Sequence, residues 1–156
     1  MKAIVEFEFI ADFVQKIRKN SKLTIAFTNG CFDILHRGHV ELLEKAKEYA
    51  DYLVVGLNSD VSVKRLKGME RPYMGQEDRA FILSRLEAVD VVCIFEQDTP
   101  LELIKQVQPD YLIKGGDYKV EQIVGKEIVE ARGGKVLTIP LVAGRSTTSI
   151  LQKLRS

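Results

Sequence analysis

Short apolar runs alternate along the chain with segments whose apolar residues recur at helical spacing. Because the runs are rich in β-branched and aromatic residues, they predict five strands, over 23–28, 52–58, 91–96, 111–115 and 135–140. The intervening patterns predict helices over 10–17, 39–50, 77–88, 99–108, 121–134 and 146–156. Strands that are apolar on both faces indicate a parallel sheet covered by helices on both sides. The predicted fold class is therefore α/β, with a Rossmann-like doubly wound parallel five-stranded sheet.

The length of 156 residues fits a single domain, in which residues 1–20 form an N-terminal helical extension. Two of the later helices carry start signals. Thr99 is the predicted cap ahead of Pro100 at the first helical position, and Ser146 is the predicted cap of the last helix.

The composition narrows the class of protein. Lys and Arg number 23 against 22 for Asp and Glu, so no overall basic field favours nucleic acid, and any anion site must be local. Glu6, Glu8 and Asp12 argue against an N-terminal signal peptide, and the apolar runs are too short to span a bilayer. The two cysteines, Cys31 and Cys93, form no CxxC pair. These features predict a reduced cytoplasmic protein that binds neither nucleic acid nor membrane.

Polar and glycine-rich residues follow four of the predicted strands. They form the segments Thr28–Gly30, Asn58–Asp60, Lys114–Asp117 and Gly144–Thr148. In a doubly wound sheet, ligands bind beyond the carboxyl ends of the strands. The sequence therefore predicts that the functional site lies at this edge of the sheet.

The stretch TNGCFDILHRGH, residues 28–39, contains both histidines of the chain and allows several chemistries. Cys31, Asp33, His36 and His39 are all potential zinc ligands, but no second ligand pair with metal-binding spacing occurs elsewhere. A Cys–His nucleophilic pair is a second alternative, which only proximity supports. A third alternative is that the two histidines simply cap a helix.

Phosphate binding is the alternative that also accounts for the other polar strand ends. A strand, a glycine turn and a helix N-terminus bring backbone N–H groups and the positive end of a helix dipole to one point. His36 and His39 are three residues apart and face the same side of a turn, and Gly38 between them lets a ligand approach the backbone. The stretch has neither the P-loop pattern nor the dinucleotide-binding glycine pattern.

The pattern HRGH after TNGCFDIL resembles the HxGH motif of the cytidylyltransferase-like nucleotidyltransferases. The segments GLNSDVSVKRLKG, RP…QEDR, LEAVD, IKGGDY and STTSIL extend the similarity over nearly the whole chain. They resemble the adenylyltransferase domains of bacterial ADP-heptose synthases, here without the fused sugar kinase. The resemblance implies transfer of AMP from ATP to a sugar 1-phosphate, D-glycero-D-manno-heptose 1-phosphate, giving ADP-heptose and pyrophosphate for the lipopolysaccharide core. The alternatives are a cytidylyltransferase of a phospho-alcohol such as glycerol 3-phosphate, an FMN adenylyltransferase, or a nucleotide-binding module without enzymatic activity.

The resemblance also implies roles for individual residues. The catalytic residues would be His36, His39, Lys64, Lys67 and Arg79, although a simple surface position is an equal alternative for Arg79. The nucleotide would be bound by Thr28, Asn29, Gly30, Cys31, Phe32, Gly38, His39, Lys114, Gly115, Asp117, Ser146, Thr147 and Thr148. The substrate would be bound by Asp33, Asn58, Asp60, Gly116 and Arg145, with Asp33 ordering either the loop or the substrate.

Segment 59–75 has four basic residues and no clear apolar period, which predicts a mobile flap that brings Lys64 or Lys67 onto the phosphates. Because a sugar phosphate is anionic at neutral pH, it needs no general base, and catalysis would rest on alignment and charge stabilisation. The resemblance implies Mg²⁺ carried with ATP and no metal held by protein ligands. It further implies a homodimer, with a separate heptose kinase and phosphatase as pathway neighbours.

Overall fold

The computed structural model describes residues 2–20, 22–141 and 146–156. Within these ranges, six strands form one parallel sheet: β1 Ala3–Ile4, β2 Ile25–Gly30, β3 Tyr52–Asn58, β4 Val91–Phe95, β5 Tyr111–Gly115 and β6 Lys135–Ile139. The α-helices of the same ranges are α1 Ile10–Asn20, α2 Arg37–Lys47, α3 Asp60–Lys67, α4 Gln76–Ser84, α5 Leu101–Val107, α6 Lys126–Ala131 and α7 Thr147–Arg155. The predicted α/β fold with a doubly wound parallel sheet is confirmed.

The strand β1 was not predicted, because residues 1–20 were expected to form only a helical extension. Helical structure begins instead at a short 3₁₀ helix over Phe7–Phe9, and α1 follows it. Ahead of that, backbone hydrogen bonds hold β1 against β4, from Ala3 N to Asp90 O and from Val5 N to Val92 O. Two residues are too few to show a strand period, so this pairing depends on the neighbouring strand rather than on the local sequence.

The two faces of the sheet are covered by different helices. On one face, α1 and α5 pack on the sheet through a core that includes Ile10, Phe27, Val54, Leu103 and Leu112. On the other face, α2 and α4 pack through a core that includes Ala26, Leu43, Val55, Leu83 and Ile113. Strands buried on both faces explain why the predicted strands are continuous apolar runs rather than alternating ones.

Several helix boundaries differ from the prediction, and α2, predicted over 39–50, runs over Arg37–Lys47. The helix predicted over 121–134 is a 3₁₀ turn, Val120–Gln122, followed by α6. They are separated by Gly125, whose φ of 93° ends one segment before the next begins. Helix α4 ends four residues earlier than predicted, and α5 begins at Leu101 with Pro100 as its N-cap, one residue later than predicted.

The order of the strands places a crevice at the centre of the sheet. The order is β1-β4-β3-β2-β5-β6, so the chain winds outwards from β2 in one direction and then from β5 in the other. Crevices at such a switch point, at the carboxyl ends of the strands, are where doubly wound folds bind ligands. Among the described residues, no helix is both long enough and apolar enough to cross a bilayer.

Candidate active site

The loop between β2 and α2 is tightly folded. Phe32 and Ile34 both adopt left-handed backbone conformations, with φ of 47° and 53°, which non-glycine residues rarely do outside functional loops. The Phe32 ring is buried and folds back over the end of β2, where a Cβ on Gly30 would lie 3.0 Å from it. Glycine is therefore needed at position 30 because the aromatic ring occupies the space of a side chain.

The two histidines cap α2 by binding each other's backbone. His36 is the N-cap residue, and its Nδ1 accepts a hydrogen bond of 3.0 Å from the backbone N–H of Gly38. In return, Nδ1 of His39 accepts one of 3.2 Å from the backbone N–H of His36. Because Nδ1 of His39 is an acceptor, the proton of its neutral ring lies on Nε2, which is then a hydrogen-bond donor.

The histidine rings lie side by side, with centroids 3.9 Å apart. Burial, together with the charges of His36 and Lys67, lowers the pKa of His39 to about 4. His39 is therefore neutral at physiological pH and acts as a hydrogen-bond donor rather than as a cation. The predicted cap and the predicted phosphate site are compatible, since the caps use Nδ1 and a phosphate would use Nε2.

The thiol of Cys31 does not have the properties of a nucleophile. Burial raises the pKa of Cys31, against the opposing charges of Lys67, Arg79 and Arg71, so the thiol is protonated at neutral pH. The described part of the chain also contains no cluster of three or more His, Cys, Asp or Glu side chains placed to hold a metal ion. The geometry therefore favours the phosphate-binding alternative over the nucleophilic one.

Lys67, in the last turn of α3, is the lysine that lies near the histidines. Burial is the largest influence on the pKa values of His39, Cys31 and Lys114, and the charge of Lys67 lowers all three. Lys64, one turn earlier, contributes to none of these shifts. The first half of the predicted flap is thus the regular helix α3, and its mobility stays a prediction.

Asp33 orders the segment that follows α3. Its carboxylate is buried and accepts hydrogen bonds from Arg71 Nε at 2.9 Å, from Tyr73 N at 2.8 Å and from Met74 N at 3.1 Å. Burial alone would raise the pKa of Asp33, but these hydrogen bonds outweigh burial and lower it. Of the two predicted roles, these hydrogen bonds support ordering of the loop, and direct binding of substrate by Asp33 stays a prediction.

Arg79 is 1% exposed and ties together three segments at the ends of β2 and β3. Its Nε donates to the carbonyl of Met74 at 2.9 Å. One terminal nitrogen donates to the carbonyls of Cys31, at 2.7 Å, and Asn58, at 2.8 Å. The other pairs with the carboxylate of Asp60 at 2.8 Å.

These contacts correct one prediction and show how two further predicted residues are held. The alternative of a surface position for Arg79 is wrong, and a phosphate contact by Arg79 is disfavoured because four of its five N–H groups are donated to the protein. Asn58 is buried and donates to Ser62 Oγ at 2.9 Å, and one carboxylate oxygen of Asp60 is paired with Arg79, while substrate binding by these two residues stays a prediction. Sequence patterns gave no sign that these residues bond to one another.

Thr28, Asn29 and Gly38, three other predicted contacts, lie at the end of β2 and the start of α2 but face different sides of the sheet. Thr28 is fully buried on the face of α2, and no described residue is a hydrogen-bond partner of its hydroxyl. Asn29 faces the opposite side of the sheet, where its Cβ lies 3.3 Å from the position of a Cβ on Gly56. Gly38 is buried, and its N–H is used by His36. Backbone N–H groups at the start of α2 were expected to bind a ligand, but those of His36 and Gly38 bond to the imidazoles instead.

The hydroxyls at the start of α7 are less available than predicted. Ser146 is the N-cap, and its Oγ accepts from Ser149 N at 3.0 Å. Thr147 Oγ1 donates to the carbonyl of Asp33 at 2.8 Å and so joins α7 to the histidine loop. Thr148 alone of the three is exposed, beside Lys67. Arg145, the other predicted contact in this region, lies outside the described residues.

The segment after β5 reaches the crevice. Gly115 packs against α2, since a Cβ there would lie 2.8 Å from Leu42, and Gly116 has a φ of 118° that favours glycine. Asp117 is exposed, and the ammonium group of Lys114 lies 5.2 Å from the ring centroid of Tyr118. Their predicted contacts with ligand stay predictions.

Sequence reasoning assigned no role to four residues of this edge: Arg71, Tyr73, Tyr118 and Gln122. The first two anchor the loop after α3 to Asp33. The last two line a cleft beside Lys114. Arg71 and Tyr118 do occur in the quoted segments RP and IKGGDY, whereas no signal marks Gln122.

Comparison with known proteins yields relatives of much greater length. The chain is 54% identical over 143 residues to the bifunctional protein HldE of Geotalea uraniireducens, covering 92% of this chain and 29% of that protein. It is 60% identical over 131 residues to the protein of the same name from Hyphomonas neptunium, covering 84% of this chain and 27% of that protein. The chain thus spans less than a third of the length of the curated relatives it matches.

Two solved structures have a similar fold. One is the lipopolysaccharide core biosynthesis protein of Thermoplasma volcanium, with a TM-score of 0.63, 27% identity, and coverage of 77% of this chain and 97% of that chain. The other is the pantoate-beta-alanine ligase of Francisella tularensis, with a TM-score of 0.66 and coverage of 99% and 77%, whose 16% identity supports the fold alone. The model of the cytidylyltransferase-like family matches residues 27–153 and includes the whole histidine loop. The chain belongs to the cytidylyltransferase-like family of nucleotidyltransferases.

Proposed function

We propose that the chain transfers AMP from ATP to D-glycero-D-manno-heptose 1-phosphate, giving ADP-heptose and pyrophosphate for the lipopolysaccharide core. Identity above 50% to HldE proteins over most of the chain supports this activity. The likeness to a lipopolysaccharide core biosynthesis protein agrees with it. The observation that carries the proposal is the pair of adjacent imidazoles at the carboxyl end of β2, in which His39 uses Nδ1 for the cap and presents Nε2 as a donor close to Lys67.

The chemistry requires alignment rather than a base. A phosphate oxygen of the sugar 1-phosphate attacks the α-phosphorus of ATP and forms a new P–O bond. The bond from that phosphorus to the oxygen bridging to the β-phosphate breaks, and pyrophosphate leaves with the electron pair. Since the attacking oxygen is already anionic, no proton has to be removed, which agrees with the absence of an available carboxylate base among the described residues of the histidine loop.

The side chains supply positive potential where charge accumulates. In this proposal, Nε2–H of His39 donates to an oxygen of the transferred or departing phosphate, and the neutral ring keeps its proton throughout. Lys67 supplies a full positive charge near the same point, and Arg79 holds the surrounding loops in place without touching the reacting atoms.

The remaining components follow from the same proposal. In this proposal ATP enters as its magnesium complex. Since Asp33 and Asp60 are paired with arginines, the ion would be held mainly by phosphates and water. We also propose that the chain acts in the cytoplasm as one nucleotidyltransferase domain and as a homodimer, alongside separate heptose kinase and phosphatase activities. Sedimentation of the purified chain tests the dimer.

A substrate panel tests the proposed reaction. Purified chain is incubated with ATP or CTP against heptose 1-phosphate, glycerol 3-phosphate and FMN, and pyrophosphate release is measured with identification of the product by mass spectrometry. We expect turnover with ATP and heptose 1-phosphate. Preferred turnover of CTP with glycerol 3-phosphate, or of ATP with FMN, would establish one of the other transferases. Binding of ATP without turnover of any acceptor would indicate a nucleotide-binding module.

A further inference from the structure

Helix α4 has an exposed face that combines one large apolar side chain with charges of both signs. Glu77, Phe81 and Arg85 are spaced four residues apart and therefore lie along one side of the helix, and Asp78 stands beside Glu77. All four side chains are exposed, that of Phe81 to 53%. The other side of α4 carries Arg79 and is buried against the sheet, so the exposed face takes no part in the core.

Two apolar side chains on this side of the sheet are left largely uncovered. The guanidinium of Arg85 lies 4.5 Å from the ring centroid of Phe81, but about half of Phe81 stays exposed. Ile4, in the outermost strand β1, is 48% exposed. Its register partner Val92 belongs to the core beneath α4, so Ile4 lies on the same side of the sheet as the helix. Burial of these two side chains against a partner would be favourable through the hydrophobic effect.

The charges of this face have no partners of opposite sign in the described ranges of the chain. Glu77, Asp78 and Arg85 form no ion pair with any residue there. Acidic residues in the first turn and a cation at the last position also suit the helix dipole, which accounts for the charges but not for the exposed ring of Phe81. A partner that covers the ring and pairs with both signs of charge would account for the whole face.

A second copy of α4 has the complementary arrangement. If two α4 helices pack antiparallel about a two-fold axis at Phe81, the two aromatic rings meet, and position 77 of each helix lies opposite position 85 of the other. The helical rise places Glu77 about 6 Å before Phe81 and Arg85 about 6 Å after it, so both ion pairs form together. Parallel packing would instead bring like charges together, so the charges favour the antiparallel arrangement.

The other exposed helix faces do not complement themselves in this way. Helices α3 and α7 expose Leu66 and Leu154. In α3, Asp60 and Arg65 already have partners, which leaves two lysines, and the charges of α7 are all basic. Two copies of either face would bring positive charges together with no opposite charge to pair with them. Self-association is therefore best supported at α4.

We propose that two copies of the chain associate through α4, with Phe81 and Ile4 at the apolar centre of a two-fold interface. Arg85 of each copy pairs with Glu77 and Asp78 of the other. The assignment rests on the proposed function, since it names the surface through which the proposed homodimer forms. The interface uses the side of α4 opposite the buried arginine, so the contacts of that arginine with the loops of the site stay intact.

Sedimentation of the purified chain tests the apolar centre. One helix and the end of a strand make a small interface, so we expect a dimer dissociation constant on the order of micromolar, measured from about 1 to about 300 µM chain. Phe81→Ser should weaken association at least tenfold, because buried aromatic residues dominate such contacts. The matched control is Phe9→Ser in the 3₁₀ helix before α1, whose ring is 54% exposed. A wild-type chain that stays monomeric, or equal effects of the two variants, would overturn the assignment.

Exchange of charges tests the antiparallel arrangement. The double variant Glu77→Arg, Asp78→Arg and the variant Arg85→Glu each place like charges opposite one another, so each alone should be monomeric. In a mixture, one copy is positive and the other negative at every paired position, so a heterodimer should form. Native mass spectrometry with one copy ¹⁵N-labelled detects it. Lys16→Glu, an exposed charge reversal on α1, should dimerise as the wild type does. Dimers of either variant alone, or a mixture that stays monomeric, would overturn the arrangement.

Turnover measured on the same samples keeps this inference distinct from the proposed reaction. Pyrophosphate release from ATP and heptose 1-phosphate is followed for the wild-type chain and for each variant. A wild-type chain that dimerises through α4 but turns over no acceptor would contradict the reaction and support the interface. An active chain that stays monomeric, or whose dimer persists in Phe81→Ser, would contradict the interface alone.

Discussion

The two halves of the sheet edge contain similar polar residues that are used in opposite ways. At the end of β3, Asn58, Asp60 and Arg79 form hydrogen bonds within the protein and hold three loops together. At the ends of β2 and β5, Asn29 and Lys114 keep hydrogen-bonding groups that no described residue satisfies. The first half holds the loops together, and the polar groups of the second half stay available for a ligand.

This division shows that residue type and position at a strand end do not by themselves identify a ligand contact. A buried arginine that donates to carbonyls lowers the energy of the loops around a site, whereas an arginine with unused donors binds an anion. Substitutions in the first half should therefore change stability, and substitutions in the second half should change activity. Four experiments compare the buried contacts of Arg79 and Asp33 with the histidine site that they surround.

Replacing His39 by Ala should have the largest effect. We expect turnover to fall about a thousandfold because a donor to the transition state is lost, as in oxyanion holes. The free energy of unfolding should fall by only about 1 kcal/mol, from loss of the bond to the His36 N–H. Pyrophosphate release and urea denaturation measure the two effects. Arg37→Ala, at the exposed position of the same motif, is the control, and a His39→Ala enzyme within tenfold of wild type would contradict the proposed role.

Replacing Arg79 by Met should cost about 3 kcal/mol of unfolding free energy, because three carbonyls and the Asp60 carboxylate lose their donor. Chemical denaturation measures this cost. Arg85→Met, at the exposed end of the same helix, should cost less than about 1 kcal/mol. An Arg79→Met protein of normal stability that has lost turnover would place Arg79 among the phosphate contacts instead.

Replacing Asp33 by Asn should cost about 2 kcal/mol, since the buried carboxylate accepts three hydrogen bonds, one of them from a cation. The pKa of Asp33 is lowered in the folded protein. The ionised carboxylate therefore stabilises the fold at pH values above the ordinary pKa of a carboxyl group, and this stabilisation is lost as the pH falls through the lowered pKa. Denaturation at neutral and acid pH should therefore show a smaller acid dependence in the variant. Asp98→Asn breaks an exposed pair with Arg65 and should lower the free energy of unfolding by less than about 1 kcal/mol. Equal losses of stability in the two variants would contradict the argument that burial makes the Asp33 contacts stronger.

The smallest effect concerns the protonation of His39. NMR titration of its ring signals should give a midpoint of about 4, far below the ordinary value of 6.5. Because the unfolded chain binds the proton more readily, stability should rise with pH between about 4 and 6.5 and be lost as pH falls through that window. Lys67→Met should move the midpoint upwards, and Lys64→Met should leave it unchanged. A midpoint near 6.5, or equal effects of the two lysines, would contradict the placement of Lys67.

The fold was predictable because each strand is a continuous apolar run that tertiary packing buries on both faces. The position of the site at this edge of the sheet could be predicted from the same pattern, because polar residues cluster where those apolar runs end. Strand β1 and the break at Gly125 were not predictable, because one depends on pairing with β4 and the other on contact with Ile104. Local periodicity carries no information on such distant contacts.

Within the site, motif spacing correctly indicated that His36 and His39 lie together, and it left the lysine of α3 undecided. The inner network around Arg79 and the outer cleft around Lys114 could not be distinguished from sequence, because both are made of Asn, Asp, Lys and Arg. The distinction depends on which partner each group meets after folding, as Asn58 and Asn29 demonstrate: one bonds to Ser62 and the other to no described residue.

The reciprocal cap of α2 has a consequence for how the protein tolerates change. Active sites commonly reduce stability, because groups arranged for a ligand are poorly arranged for the protein itself, and gains in one property are losses in the other. Here the same imidazoles also cap a helix through Nδ1. A substitution that removes either histidine therefore gives up activity without a gain in stability. A search for thermostable variants should therefore retain both histidines even where activity is not selected.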